Sequence, residues 1–406
     1  MFREHSLAST LGGVSAALFI LALALLYWHF LGYVIAMAVM RRRRKVAPPL
    51  GEPPTLSVVI PVYNEAKNLR PRVENLLSQD YPQDRVEIII VESGSTDGTA
   101  AAARELEART PNLRVLIQPA RLGKASAVAE AKRVATGSII VVSDANTVYD
   151  RCTLAKLVEP FSDASIGGVG GRFVPKNVSD PAAAGSALYW SIEEILRGGE
   201  AALDSCCTFH GEVYAWRRDI VEPDPEAIID DLDSAIQIRK KGYRIGYAPE
   251  AVAFEAVPTS AGDMAIQWKK NALGAIQCAF RHARFLWTVP NYYTYLIFPS
   301  HKGLQVLQPF LLLLAAASLL GVVLTGAYDP SVIASFLSWI VLSVVSASLV
   351  SVEIRRGSGS RSGSLVKPVT WIRTFFAFQC AILLAWKDYV LGRRDVRWEK
   401  VESTRV

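Results

Sequence analysis

The chain has 406 residues, of which 51% are hydrophobic and 20% charged, and its formal net charge is +6. A mean hydropathy of +0.23 is high for a purely soluble protein of one or two domains. The basic residues gather beside apolar stretches, which points to an anionic membrane surface rather than to nucleic acid. Five cysteines (Cys152, Cys206, Cys207, Cys278 and Cys380) show no CxxC pair, which argues against a disulfide frame or a zinc site.

Residues 12–40 carry no formal charge. As a helix they reach about 43 Å, against roughly 30 Å of bilayer hydrocarbon. The basic run Arg41-Arg42-Arg43-Arg44-Lys45 follows this stretch instead of preceding it, the reverse of a signal peptide. Residues 1–45 therefore read as a retained transmembrane anchor with a basic cytoplasmic flank. Apolar spans return at 305–327 and 331–352, joined by the turn GAYDPS. A shorter charge-free piece, 374–386, suits a re-entrant or interfacial helix. With Arg355, Arg356, Arg361 and Lys367 inside, and Arg393, Arg394, Arg397 and Lys400 in the tail, the positive-inside rule favours three spans and a cytoplasmic middle domain. The expected domains are the anchor 1–45, a catalytic unit 46–260, interfacial helices 261–304, a hairpin with a short further helix 305–391, and a basic tail 392–406.

The middle domain alternates strand and helix. "LSVVIPVY" (56–63) is a buried-strand pattern, and Leu69, Val73, Leu76 and Leu77 line one face of the helix after it. "VEIIIV" (86–91) is continuously apolar, as a parallel strand buried on both faces requires. "SGSTDGT" (93–99) opens a second helix. A third strand at 113–117, a helix through GKASAVAEAKRVATG, and a fourth strand at 138–144 complete an open, Rossmann-like α/β pattern. Ligands of such sheets bind beyond the carboxyl ends of the strands. Pro61–Glu65, Glu92–Asp97 and Asp144–Asn146 all follow strand ends, so three polar loops are expected on one edge. Neither GxGxxG nor GxxxxGK[ST] is present in these turns, so phosphate must be held by another device. A carboxylate-bound divalent cation would serve, with Asp144 as its ligand.

The motifs VVIPVYNEAKNL, VESGSTDGTA, RLGKASAV, VVSDANT and DDLDSAIQIRKKGYRIGYAPEA occur in that order. Together they resemble the family-2 glycosyltransferases in their membrane-anchored, cellulose-synthase-like form. The resemblance covers about 55–275 and implies a GT-A-type fold, a nucleotide-diphosphate sugar donor, Mg²⁺ or Mn²⁺, and inversion at the sugar carbon. It places Pro61, Tyr63 and Glu65 in the loop that cradles the nucleoside, and Glu92 and Ser93 where an Asp pair is usual. Lys124 lies in the loop that reaches the donor's nucleotide or diphosphate. Asp144 and Asn146 take the places of the DxD carboxylates, one charge short. Asp231, with Asp230 beside it, falls at the position of the general base; as plain helix-start residues, either could instead be an N-cap and Asp233 a dipole partner. Asp97 reads as a helix cap. His210 and Gly211, in "FHGEVYAWRRD", are acceptor-side candidates, His210 equally a packing residue.

Processive relatives carry Gln-x-x-Arg-Trp on an interfacial helix. Here "QWKKN" keeps Gln267 but puts Lys270 and Asn271 in the last two places, which leaves Trp268 as the only nearby substitute for the stacking ring. The stretch 262–287 reads as an amphipathic helix with Met264, Trp268, Ala272, Ala275, Ile276 and Ala279 in one stripe. These features favour one hexose added to a lipid-linked acceptor, polyprenyl or dolichyl phosphate or a glycan on it, with Lys270 and a tail residue, Trp398, on the acceptor side. GDP-mannose is the favoured donor, with UDP-glucose and UDP-N-acetylglucosamine open. A processive synthase and a catalytically weak scaffold or nucleotide-sugar binder are the alternatives. No nucleic-acid partner is expected, and the sequence sets no oligomeric state.

Overall fold

The computed structural model describes residues 2–43, 51–177, 181–326, 330–357 and 368–397. The chain opens with α1 (Phe2–Tyr27) and α2 (Tyr33–Arg41), continuous through a π-helical turn at Trp28–Gly32. There follow β1 (Leu56–Val62), α3 (Ala66–Leu77), β2 (Val86–Ser93), α4 (Thr99–Arg109), β3 (Leu113–Gln118), α5 (Lys124–Val134) and β4 (Ile139–Val142). The second half of the sheet domain holds β5 (Val148–Tyr149), α6 (Thr153–Val158), β6 (Ile166–Pro175), α7 (Pro181–Leu203), β7 (Tyr214–Arg217), α8 (Asp230–Lys240) and β8 (Arg244–Glu255). The chain then runs through α9 (Ala261–Arg281), α10 (Ala283–Thr288), α11 (Leu304–Thr325), α12 (Pro330–Gly357) and α13 (Pro368–Val390).

Eight strands form one sheet in the order β3-β2-β1-β4-β7-β6-β8-β5. The first four are parallel, and β7 joins antiparallel to β4 and β6. The parallel strands are apolar on both faces because helices cover both sides. Val58, Ile60, Ile88 and Ile90 face one core with Leu69, Val73 and Leu76 of α3; Val59, Ile89 and Ile140 face the other with Val128 of α5. Leu77 departs from the expected stripe and is 37% exposed. Strand order reverses beside β1, whose neighbours are β2 and β4, so the crevice beyond their carboxyl ends is the topological switch point. The register pairs Val62 with Glu92 and Val59 with Val142, which brings the loops after these strands to one edge.

Two helical runs among the described residues, Thr10–Arg41 and Tyr293–Thr325, are long and apolar enough to cross a membrane; within α12 a shorter apolar run covers Val332–Val345. α1 packs along α11, and the α2–α7 crossing holds this part to the sheet domain. Small residues permit the approach: a Cβ on Gly199 would lie 2.6 Å from Met37 Cα. The stretch expected as a short re-entrant piece is the continuous 23-residue helix α13, packed along α9. Its Gln379 donates to Gln308 Oε1 at 2.9 Å and its Trp386 to the Val306 carbonyl at 2.9 Å, both toward α11. The α9 stripe is used differently from expectation. Ala272, Ala275 and Ile276 are buried in the same cluster as Ile229, Leu232 and Ile382, so this part of the helix faces protein rather than lying open in the bilayer surface.

Candidate active site

Three strand-end loops meet at the switch point, tied to one another by hydrogen bonds. Asn64 adopts a left-handed conformation (φ 54°), which a short polar side chain tolerates by bonding locally. Its Oδ1 accepts from Thr96 N at 2.8 Å, and its own N donates to Ser95 Oγ at 2.8 Å. Glu92 is buried, and its carboxylate accepts from Ser95 N. Asp97 accepts from Thr99 N at 3.1 Å and Ala66 N at 3.3 Å. The N-cap of α4 is Gly98, with no side-chain cap, so Asp97 is not the cap expected; it lies one residue earlier and stitches the second loop to the start of α3. Glu65 is buried and takes Asn68 Nδ2 at 2.6 Å. Tyr63, after Pro61, lies under the Arg121 guanidinium, 4.2 Å from ring centroid to Arg121 Cζ. Ser93 does not open into the loops: its hydroxyl is buried and donates to Gln118 Oε1 at 2.8 Å across β2 and β3.

Lys124 is the pivot. Gly123 turns the chain with a φ of 94° into α5, and Lys124 Nζ then reaches Asp144 Oδ1 at 2.7 Å and the Gly211 carbonyl at 2.9 Å. Burial alone would lower this ammonium's pKa, yet Asp144, Asp230 and Glu212 together hold it above its ordinary value. Asn146 sits two residues beyond Asp144 with its Nδ2 on Glu255 Oε1 at 2.8 Å, while Thr147 donates to Glu255 Oε2 at 2.6 Å. The loop is braced from below by Arg72, whose Nη2 donates to Ser143 Oγ at 2.7 Å and whose Cζ lies 4.0 Å from the Tyr149 ring centroid.

The start of α8 interacts electrostatically with this group, through Asp230 and Asp231 with Lys124. Asp230 accepts the Tyr214 hydroxyl, and Asp231 Oδ2 lies 3.4 Å from Thr208 Oγ1. The N-cap position is Ile229, with no side-chain cap, so neither aspartate serves as the N-cap that local sequence allowed. Asp233 is taken by His282 Nε2 at 2.9 Å and Gln237 Nε2 at 2.7 Å. Burial first, then the charge of Asp230, pushes Asp231 up to about 6.

His210 is 4% exposed, 5.2 Å from the Trp190 ring and 6.2 Å from Phe173, between centroids. Burial and then Arg197 drive its pKa down, so it is a neutral packed imidazole. Lys270 lies within electrostatic reach of Asp230 and Lys124, its pKa lowered by burial against the partial support of Asp230. Gln267 lies one turn earlier on α9, half-buried. Trp268 is half-buried and meets Phe378 of α13 in an edge-on pair at 5.3 Å. Trp398 lies outside the described residues.

Two acids that the motifs did not single out complete the cluster. Burial, then the charge of Asp144, raises the pKa of Glu212; burial, then Glu212, raises that of Glu255. Glu212 Oε2 is buried with no hydrogen-bond partner among the described residues. An orphaned carboxylate oxygen in an acid-rich site fits a hard, oxygen-seeking cation. No group of three His, Cys, Asp or Glu with a metal-holding arrangement occurs among the described residues, so a cation here would draw part of its shell from a diphosphate.

Residues 139–385 match the family model of Glycosyl transferase family group 2, and residues 57–215 that of Glycosyl transferase family 2. The chain is 29% identical over 250 residues to a probable glycosyltransferase, YdaM, of Bacillus subtilis, covering 58% of this chain and 59% of the relative. It is 24% identical over 375 residues to an N-acetylglucosaminyltransferase of Azorhizobium caulinodans, covering 86% and 88%. The chain thus spans about three fifths of the first of these relatives and most of the second. Among solved structures, the mannosyltransferase PcManGT from Pyrobaculum calidifontis, in complex with GDP-Man and Mn²⁺, superposes with a TM-score of 0.67 at 27% identity, covering 93% of this chain and 99% of that one. The fold, like that neighbour's, is a mixed α/β GT-A-like fold, and with more than half of its length matched the chain belongs to glycosyltransferase family group 2, enzymes that use nucleotide-sugar donors.

Proposed function

We propose that the protein is a membrane-bound, inverting hexosyltransferase that moves one sugar from a nucleotide diphosphate to a lipid-linked acceptor at the cytoplasmic face. The observation that carries this reading is the nearness of two groups: Lys124 on Asp144 at 2.7 Å, and the buried Asp231, whose proton affinity Lys124 lowers, beside Thr208. The first group suits a diphosphate and its cation. The second suits an acceptor hydroxyl.

The chemistry follows from that pairing. The donor's nucleoside would lie over the Pro61–Glu65 and Glu92–Asp97 loops, near the Tyr63–Arg121 stack, with Ser93 supporting from behind. Asp144 and Asn146 would hold a divalent cation, Mg²⁺ or Mn²⁺, and Glu212 is a further oxygen within the same cluster. When bound, that ion neutralises charge on the leaving diphosphate. Lys124 adds a second cation and ties the donor loop to Gly211. An acceptor hydroxyl attacks the anomeric carbon from the face opposite the diphosphate, the bond to the diphosphate oxygen breaks, and the hydroxyl proton passes to Asp231. Asp230, fixed by Tyr214, keeps the neighbouring carboxyl basic. Attack and departure on opposite faces invert the configuration.

GDP-mannose is the first donor, supported by the GDP-Man complex of a neighbour that matches nearly the whole chain. UDP-N-acetylglucosamine is second, supported by the Azorhizobium relative. Single addition is favoured because Lys270 and Asn271 stand where processive relatives carry Arg-Trp. The membrane location rests on the two long apolar helices, and the cytoplasmic orientation on Arg41–Arg43. Proton NMR of the first product formed from an α-linked nucleotide sugar should show a β-linkage; an α-linked product would overturn the single-displacement mechanism.

A further inference from the structure

The helix that runs from Tyr293 to Thr325 begins with two π-helical turns, Tyr293–Ile297 and Pro299–Gly303. Such turns take side chains out of α-helical register and are frequent at functional sites. His301, on the second turn, is 3% exposed, with Nδ1 2.7 Å from Glu200 Oε1 and Nε2 3.2 Å from Glu193 Oε1. The same glutamate and its neighbours on α7 hold the segment 205–213. Glu200 Oε2 accepts Cys207 N at 2.9 Å, and Arg197 Nη2 donates to the Phe209 carbonyl at 3.1 Å. Tyr293 OH donates to the Cys207 carbonyl at 2.9 Å. That segment carries Thr208, which meets Asp231, and Gly211, which meets Lys124. One buried frame therefore seats both the acceptor-side loop and the π turn.

Lys302 follows His301 on that turn and is half-buried. Among the described residues its ammonium makes no ion pair; Nζ donates to the neutral Gln305 Oε1 at 3.3 Å. Its charge nevertheless acts on Asp231 and Glu193, lowering their proton affinity, and on His210. A cation at the start of an apolar helix, set among site groups and bonded to a neutral amide, is a seat for an anion held at the bilayer surface.

We propose that Lys302 binds the phosphate ester of the membrane-anchored acceptor and thereby fixes how far the acceptor's hydroxyl reaches toward Asp231. This rests on the lipid-linked-acceptor reading above and names its anchor. The shared chemistry is a phosphate on an apolar tail, which a polyprenyl phosphate and an ordinary anionic phospholipid both offer. The frame around His301 favours the polyprenyl ester, because it ties Lys302 to the acceptor-side loop.

The test uses the full chain in phosphatidylcholine nanodiscs, titrated with undecaprenyl phosphate or, in a second arm, with phosphatidylglycerol. GDP and UDP binding and Asp144-dependent nucleotide release are measured alongside. Lys302→Gln should weaken undecaprenyl phosphate binding at least about tenfold, the scale of a lost charge-assisted hydrogen bond. Lys302→Arg should restore most of it, and nucleotide affinity should stay unchanged in both variants, which also reports folding. Wild-type affinity in Lys302→Gln overturns the proposal. So does equal displacement by phosphatidylglycerol, which makes Lys302 a general headgroup contact. A wild-type protein that ignores undecaprenyl phosphate yet releases nucleotide through Asp144 overturns the anchor and leaves the transferase reading standing; loss of both removes the two together.

Discussion

At the scale of single residues, the account turns on a carboxylate whose surroundings set its work. Asp231 is pushed up to about 6 by burial and by Asp230. A base acts in its ionised form, so kcat/KM should rise through an apparent pKa near 6 and level off above it. Asp231→Asn should lower kcat by about 10² to 10⁴, with nucleotide binding kept; steady-state assays from pH 5 to 8 measure both effects. A variant with the wild-type rate and an unchanged acid limb would remove Asp231 from the chemistry. Several of these residues were legible in the sequence because strand-end position and motif order mark them: Asp144, Lys124, Asp231 and Asp97 all lie where polar loops leave apolar runs. Glu212, Glu255 and Arg72 were not legible. Each is an isolated polar residue in or beside an apolar segment, and its partners come from remote parts of the chain, Asn146 and Thr147 for Glu255, Ser143 and Tyr149 for Arg72. The one sequence signal was position: Glu255 ends a strand on the same edge, and Glu212 lies two residues before one.

At the scale of elements, the parallel strands followed from continuous β-branched runs, and the structure places them within a few residues of expectation at Leu56–Val62, Val86–Ser93 and Leu113–Gln118. Helix partners were harder to foresee. The stripe of α9 has the spacing of an interfacial helix, and the same spacing serves packing against α8 and α13, because periodicity gives a face without naming what covers it. The π turns leave no compositional mark, although the second of them carries His301 and Lys302. Crossing of α2 and α7 depends on Gly199, where a Cβ would come within 2.6 Å of Met37 Cα and Cβ. Gly199→Ala gains about 1 kcal/mol of helix propensity but incurs about 1–3 kcal/mol of overpacking. The expected net is a lower thermal midpoint in detergent, read by tryptophan fluorescence. A higher midpoint would mean that the helices separate at no cost.

At the scale of the whole molecule, a sheet domain with a polar edge is locked to apolar helices by buried polar contacts. Tyr33 donates to Glu200 of α7 at 2.9 Å, and His301 Nδ1 lies 2.7 Å from the same carboxylate. Breaking one member of such a buried set strands its partner in a low-dielectric interior, so the site and the apolar helices form one mechanical unit. That arrangement suits a soluble donor meeting an acceptor that cannot leave the bilayer. The central claim is metal-assisted transfer from a nucleotide sugar, and the most direct measurement is nucleotide release by the purified full chain with Mn²⁺ or Mg²⁺. The panel pairs UDP- and GDP-sugars with a polyprenyl-linked glycan present or absent, and uses Asp144→Ala as the comparison. The account predicts release from one donor, GDP-mannose first, that requires both the cation and Asp144 and rises with the lipid acceptor. Release that is indifferent to Asp144, or nucleotide binding with no release from any donor, would contradict it.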